Sequence, residues 1–254
     1  MTGLLLLASA ACSAKSPLEG MQPGERGRVV RVIDGDALVL DTGQSVRLVG
    51  IEAPARNGRY DDPDPYAEKS ARMLEDLVMG REVRLYYPGL TRDRYDRALA
   101  HITTADNSGP DYWINLELVR RGAVRVRLYP DTDRGGATLL EAEEVARSSV
   151  RGLWHESAYR PVPAEALDAS HRGFTIVSAR LGEAAEAPQR DEDRRRSILC
   201  SRQVEGSDLI IDMTFNARPA CDAPAGKPYL LRGWVSGERM ELDHPLHLQD
   251  LDTR

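Results

Sequence analysis

The chain lacks any run of the roughly 18–20 consecutive apolar residues that a helix needs to cross a bilayer, which argues against an internal membrane span. It also lacks a surplus of positive charge. Lysine and arginine number 34 against 40 aspartates and glutamates, giving a net charge of -6. No global field therefore draws the protein to nucleic acid or acidic membranes, and any phosphate contact must be local. There is no Gly-rich phosphate loop, no CxxC pair, no heptad and no internal repeat, which removes the enzyme and assembly classes that those patterns carry. The five histidines show no zinc-ligand spacing, His244 and His247 being the only close pair.

What is present is a chain of 254 residues, enough for a domain of about 130 residues and a smaller partner. Short β-rich runs at Val29–Val32, Ala37–Leu40 and Val46–Ile51 are separated by Asp34-Gly35 and Thr42-Gly43, the pattern of a meander. Asp64-Pro65 offers a helix start, and Ala67, Ala71, Leu74, Leu77 and Val78 share one helical face. Strands are expected at Val83–Tyr87 and Ala98–Ile102. A short helix capped by Asn115 should follow, and then another near Thr138, where Thr138 and Glu141 have capping-box spacing. Five strands interleaved with helices predict a mainly β (α+β) domain built on a closed OB-type barrel.

The expected organisation is an export segment and linker over 1–26, the barrel domain over 27–160, a linker over 161–195 and a small β-rich domain over 196–254. The linker reading rests on Ala, Glu and Pro enrichment, with one strand-like run at Phe174–Ala179, followed by a charged stretch ending in Arg194-Arg195-Arg196. At the amino terminus, Leu4–Leu7 followed by small residues reads as an export signal. Ala8-Ser9-Ala10 suits free secretion, while Cys12 after Ala10-Ala11 resembles a bacterial lipoprotein attachment site. Cys200 and Cys221 would then remain as an even pair, either joined in an oxidising compartment or left as two separate buried thiols.

Chemistry gathers in four segments. Asp34-Gly35-Asp36 places two carboxylates around a turn. Arg47 to Pro54 carries a guanidinium and then Glu52 at a strand end, Thr91 to Ala100 is a polar turn with Arg97 leading into an apolar strand, and Asn115 to Ala123 contains Arg120-Arg121-Gly122. In this order the segments resemble the staphylococcal nuclease family, over roughly Gly27 to Trp154. The resemblance implies a Ca2+-dependent phosphodiesterase that cuts DNA or RNA. By position, Asp36 matches a calcium carboxylate, Glu52 stands where a second aspartate ligand is usual, and Ala53 replaces a threonine whose backbone carbonyl binds the metal. Arg47 and Arg97 match the two arginines that grip the phosphate, and Tyr95 matches a tyrosine that stacks on a base.

The sequence departs from the family at Ala55, where a glutamate normally activates the attacking water. Asp61, Asp62 and Asp64 follow in the next loop as replacement acids or as ordinary surface. Three functions are left open: an exported nuclease, a catalytically impaired OB module that binds nucleic acid or a protein partner, and an envelope protein whose carboxy-terminal domain does the main work. The arginines at 120, 121, 125 and 127 suit either a track for a nucleic-acid backbone or a solvated strand face, and the alternation after Gly122 favours the solvated face.

Overall fold

The computed structural model describes residues 18–57, 62–106, 112–186 and 197–252; the export segment with Cys12, Asp61 and the Arg194-Arg195-Arg196 run lie outside them. Strands β1 (Gln22–Asp34), β2 (Ala37–Leu40), β3 (Ser45–Leu48), β5 (Glu82–Tyr87) and β6 (Ala98–Thr104) form a closed barrel. Its order is β1-β2-β3-β6-β5, with β5 returning to β1 and β3 running parallel to β6. Val29, Leu38, Leu48, Leu85 and Ile102 point inward from alternate positions and fill it. Strand β4 (Ile51–Glu52) leaves the barrel at Gly50, whose φ of +73° suits glycine, and pairs with β7 (Arg125–Val126).

Helix α1 (Ala67–Val78) buries the apolar face expected of it. It starts after Tyr66, and the Asp64 backbone carbonyl, not its side chain, receives the Ala67 N–H. Helix α2 (Ile114–Arg120) begins one residue before the expected cap. Asn115 is buried inside it, accepting the Ile102 N–H and donating to the Val49 carbonyl, so its amide ties α2 to two barrel edges. Helix α3 (Gly136–Ser148) begins before Thr138, with Gly135 as its N-cap, so the capping-box reading fails.

The span read as a linker is largely structure. Strand β8 (Val162–Pro163) precedes β9 (Gly173–Ala185), thirteen residues long, and β9 opens a second barrel with β10 (Ile198–Val204), β11 (Ser207–Thr214), β12 (Pro228–Ser236) and β13 (Arg239–Leu242); β14 (Leu248–Asp250) pairs outside on β12. Because β12 pairs with both β13 and β9, the circuit β9-β10-β11-β13-β12 closes. In both barrels the first strand pairs with the second and the fourth, and the third strand is parallel to the fifth. The carboxy-terminal region therefore repeats the topology of the first barrel. Cys200 and Cys221 are joined as a disulfide, linking β10 to the turn after β11.

The two barrels share a small core of Trp154, Tyr159, Ile176 and Leu230. Polar ties cross the same boundary. Buried Arg232 of β12 pairs with buried Glu143 of α3, Glu143 also accepts the Val126 N–H at 2.6 Å, and the Leu128 N–H donates to His247 Nε2 at 3.1 Å. His244 hydrogen-bonds Asp133 at 3.0 Å, so the close histidine pair is spent on packing the barrels together.

His101, buried on β6, makes a prediction about acid stability. Its Nε2 lies 3.0 Å from the Arg134 carbonyl and its Nδ1 3.2 Å from the Trp113 indole nitrogen. The indole can only donate, so Nδ1 must stay unprotonated, and burial holds the imidazole down at about 4. A histidine depressed in the folded state contributes stability that is complete above the ordinary value of 6.5 and is lost as pH falls toward 4. The expected loss is about 3 kcal/mol between about pH 7 and pH 4. Urea midpoints for wild type and His101→Gln check this: the variant should show a flatter pH dependence, and parallel curves would contradict it.

Candidate active site

The site is assembled by close approaches that few side chains permit. A Cβ at Gly35 would stand 1.9 Å from Ser70 Oγ on α1 and 3.0 Å from Ala53 Cβ, so only glycine lets the turn sit against both. That seating buries Asp36 completely. One carboxylate oxygen accepts from Arg47 Nη1 and the other from the Ala53 N–H, each at 2.6 Å. Burial raises the Asp36 carboxyl from 3.8 to about 6; the Arg47 guanidinium and the Ala53 N–H oppose the rise, while Glu52 and Asp34 add to it.

Register brings the second arginine to the first. Arg47 on β3 pairs with Leu99 on the parallel strand β6. Side chains two apart share a face of a strand, so Arg97 comes up beside Arg47. Both line one cavity of about 370 Å³, together with Asp93, Tyr129, Asp131 and Thr132. Arg97 also pairs with Asp93 at 2.7 Å, so it both makes a salt bridge and lines the shared cavity. Burial pushes the Asp93 carboxyl up, but the backbone and guanidinium N–H groups of Arg97 and the Tyr95 N–H bring it below its usual value.

Tyr95 stands apart from this cavity. It is 65% exposed, with its ring flanked by Arg94 at 4.7 Å and Arg97 at 5.6 Å. Glu52 lies across β4–β7 from Arg125; its carboxylate takes Arg127 at 2.7 Å and lies 4.0 Å from Arg125. These two arginines are therefore not a solvated face. Arg127 is wedged among the rings of Tyr129, Phe174 and Trp234 at 5.0–5.5 Å, the last two belonging to the second barrel. Tyr129 is a functional candidate absent from the sequence reading, and Arg127 one that the sequence reading favours as solvated surface.

Asp36, Glu52 and the Ala53 backbone supply only oxygen donors, which suit a hard cation such as Ca2+ over zinc. Among the described residues no group of three or more His, Cys, Asp or Glu gathers here, so water and phosphate oxygens would complete a coordination shell. By type the donors suit a hard cation, but as placed both Asp36 oxygens are held by Arg47 and the Ala53 N–H, and the Glu52 carboxylate by Arg127. Ala55 is half-buried and brings no carboxylate; its N–H and carbonyl are both held by Asp64. Asp64 lines a different cleft, not the Arg47–Arg97 cavity.

Residues 45–156 match the family described as staphylococcal nuclease homologue. An "Uncharacterized endonuclease" of Escherichia coli O157:H7 is 36% identical over 140 residues, covering 54% of this chain and 80% of that protein. The chain belongs to the staphylococcal nuclease family. A "Thermonuclease" of Staphylococcus intermedius is 29% identical over 134 residues, 52% of this chain and 77% of its own length. The family match ends at 156, so the second barrel from β9 onward lies beyond the staphylococcal nuclease part.

Proposed function

We propose that the protein is a nuclease that hydrolyses phosphodiester bonds of DNA or RNA, with Ca2+ held by Asp36, Glu52 and the Ala53 carbonyl. The observation that carries this reading is the convergence of Arg47 and Arg97 on one cavity, with buried Asp36 bonded to Arg47. Two planar guanidinium groups would grip the phosphate and meet the negative charge that grows on its equatorial oxygens as water attacks in line. Asp36 holds Arg47 in place, and Asp93 does the same for Arg97. Calcium, when bound, supplies positive charge that acidifies water and offsets the phosphate's charge. The catalytic base is unassigned.

A second reading, a binding module with little turnover, is favoured by Ala55 and by Arg127 occupying Glu52. Export belongs to the leading proposal, by free secretion or through a lipid on Cys12, and the Cys200–Cys221 disulfide suits an oxidising compartment. The test is incubation of the purified chain with single-stranded DNA, duplex DNA and RNA, in Ca2+ or in chelator. Cleavage in calcium that falls to background in chelator is expected. Binding without cleavage in both conditions would select the module.

A further inference from the structure

A cleft of about 420 Å³ opens where the two barrels meet, and its charge is opposite to that of the protein as a whole. Arg125 enters from β7, Arg160 from the segment after Trp154, and His171 and Arg172 from the approach to β9. The acid in its lining is Asp64, whose carboxylate already accepts the Ala55 N–H. Asp168 lies beside His171 and is occupied by Ser170 and His171. Among the described residues, Arg160 and Arg172 form no ion pair with a carboxylate. Arg160 hydrogen-bonds the Trp154 and His155 carbonyls and Arg172 the Ala169 carbonyl, contacts that hold the guanidinium groups without neutralising them. Arg125 Nε is buried with no partner. A protein that is acidic overall has thus gathered four basic side chains here, two of which, Arg160 and Arg172, have no carboxylate partner among the described residues.

One chain segment reaches from the cleft to the candidate active site. Arg125 lies 4.0 Å from Glu52, and Arg127, two residues on, bonds Glu52 and meets the ring of Tyr129, which lines the Arg47–Arg97 cavity. Positions 125, 127 and 129 form a track between the two cavities, with the half-exposed Trp234 ring of the second barrel beside it.

We propose that the junction cleft is a second phosphate site, which takes a phosphodiester of the same single-stranded polynucleotide some nucleotides away from the bond held by Arg47 and Arg97. The site rests on the nuclease reading for its substrate but not for its existence. The second barrel then serves to lengthen the substrate-binding surface, since the first barrel alone supplies neither Arg172 nor Trp234. Stacking on exposed rings and charge pairing with the backbone together suit single strands irrespective of sequence.

Binding is measured in chelator, where cleavage does not interfere, for wild type, Arg160→Ala/Arg172→Ala and Ser170→Glu. The last places a negative charge in the cleft and keeps both arginines in place. An oligonucleotide long enough to span both cavities should bind each variant about tenfold more weakly, and the double variant should lower the slope of log affinity against log salt by about 0.7 per arginine removed. A dinucleotide, too short to reach the junction, should bind all three proteins alike. Unchanged oligonucleotide affinity and slope in variants with wild-type circular dichroism would overturn the proposal, as would a loss equal for oligonucleotide and dinucleotide. A protein that binds in this pattern but never cleaves would leave the junction site standing and remove only the nuclease reading.

Discussion

Arg47→Ala is expected to lower kcat by about 10²–10³-fold, the usual cost of deleting one preorganised group that meets transition-state charge. Arg47 links the buried Asp36 carboxylate to the cavity shared with Arg97. Its loss does two things at once. The phosphate loses a fork, and Asp36, already raised to about 6, loses the guanidinium that opposes its protonation and moves further up. Calcium affinity should fall accordingly, because a protonated carboxyl is a poor ligand. Arg47→Lys keeps the charge but not the bidentate geometry, so its rate should fall between wild type and alanine. Steady-state kinetics on a defined oligonucleotide reads all three; equal rates in wild type and Arg47→Ala would remove Arg47 from the chemistry.

Ala55→Glu is expected to act in the opposite direction, raising kcat by about 10²-fold, the low end of what a positioned general base contributes. The native position carries no carboxylate, and the acid tethered to it, Asp64, is turned toward the junction cleft. The pH profile should change with the rate. A new acid limb, absent from the native enzyme, would mark the glutamate as the group that must be ionised. If the rate stays level, a native acid already does the work, and Asp64→Asn in the otherwise wild-type chain identifies whether it is Asp64.

The first barrel was largely legible because its signals are local. Alternation of apolar residues, Asp34-Gly35 and Thr42-Gly43 turns, and the face shared by Ala67, Ala71, Leu74, Leu77 and Val78 all act over a few residues. Gly35 was legible as a turn but not as the residue that admits Ser70, since that contact comes from a helix 35 positions later. Only the first half of β9 shows in the sequence, as the strand-like run Phe174–Ala179; Gly182-Glu183-Ala184-Ala185 has little β preference, and pairing with β10 carries the strand through it. Asn115 looked like a cap because its type favours caps, yet two unpaired barrel groups claimed its amide.

The candidate site divides along the same line. Asp36, Arg47 and Arg97 could be picked out because each sits in a contiguous motif, and the structure brings Arg47 and Arg97 to one cavity. Arg125 and Arg127 show in the sequence only as members of a basic cluster, since their partners are Glu52, more than seventy residues earlier, and rings at 174 and 234 in the other barrel. The repeated strand order was equally invisible: the two barrels share connectivity, not residue pattern, and only pairing reveals it.

A double-mutant cycle on kcat/KM with Arg47→Ala, Arg97→Ala and the combined variant tests most directly whether both guanidinium groups act on one phosphate. If they do, the second deletion removes less than the first, and the coupling should exceed about 1 kcal/mol. Losses that add within about 0.5 kcal/mol would mean that the two arginines work independently, and the shared site would not exist.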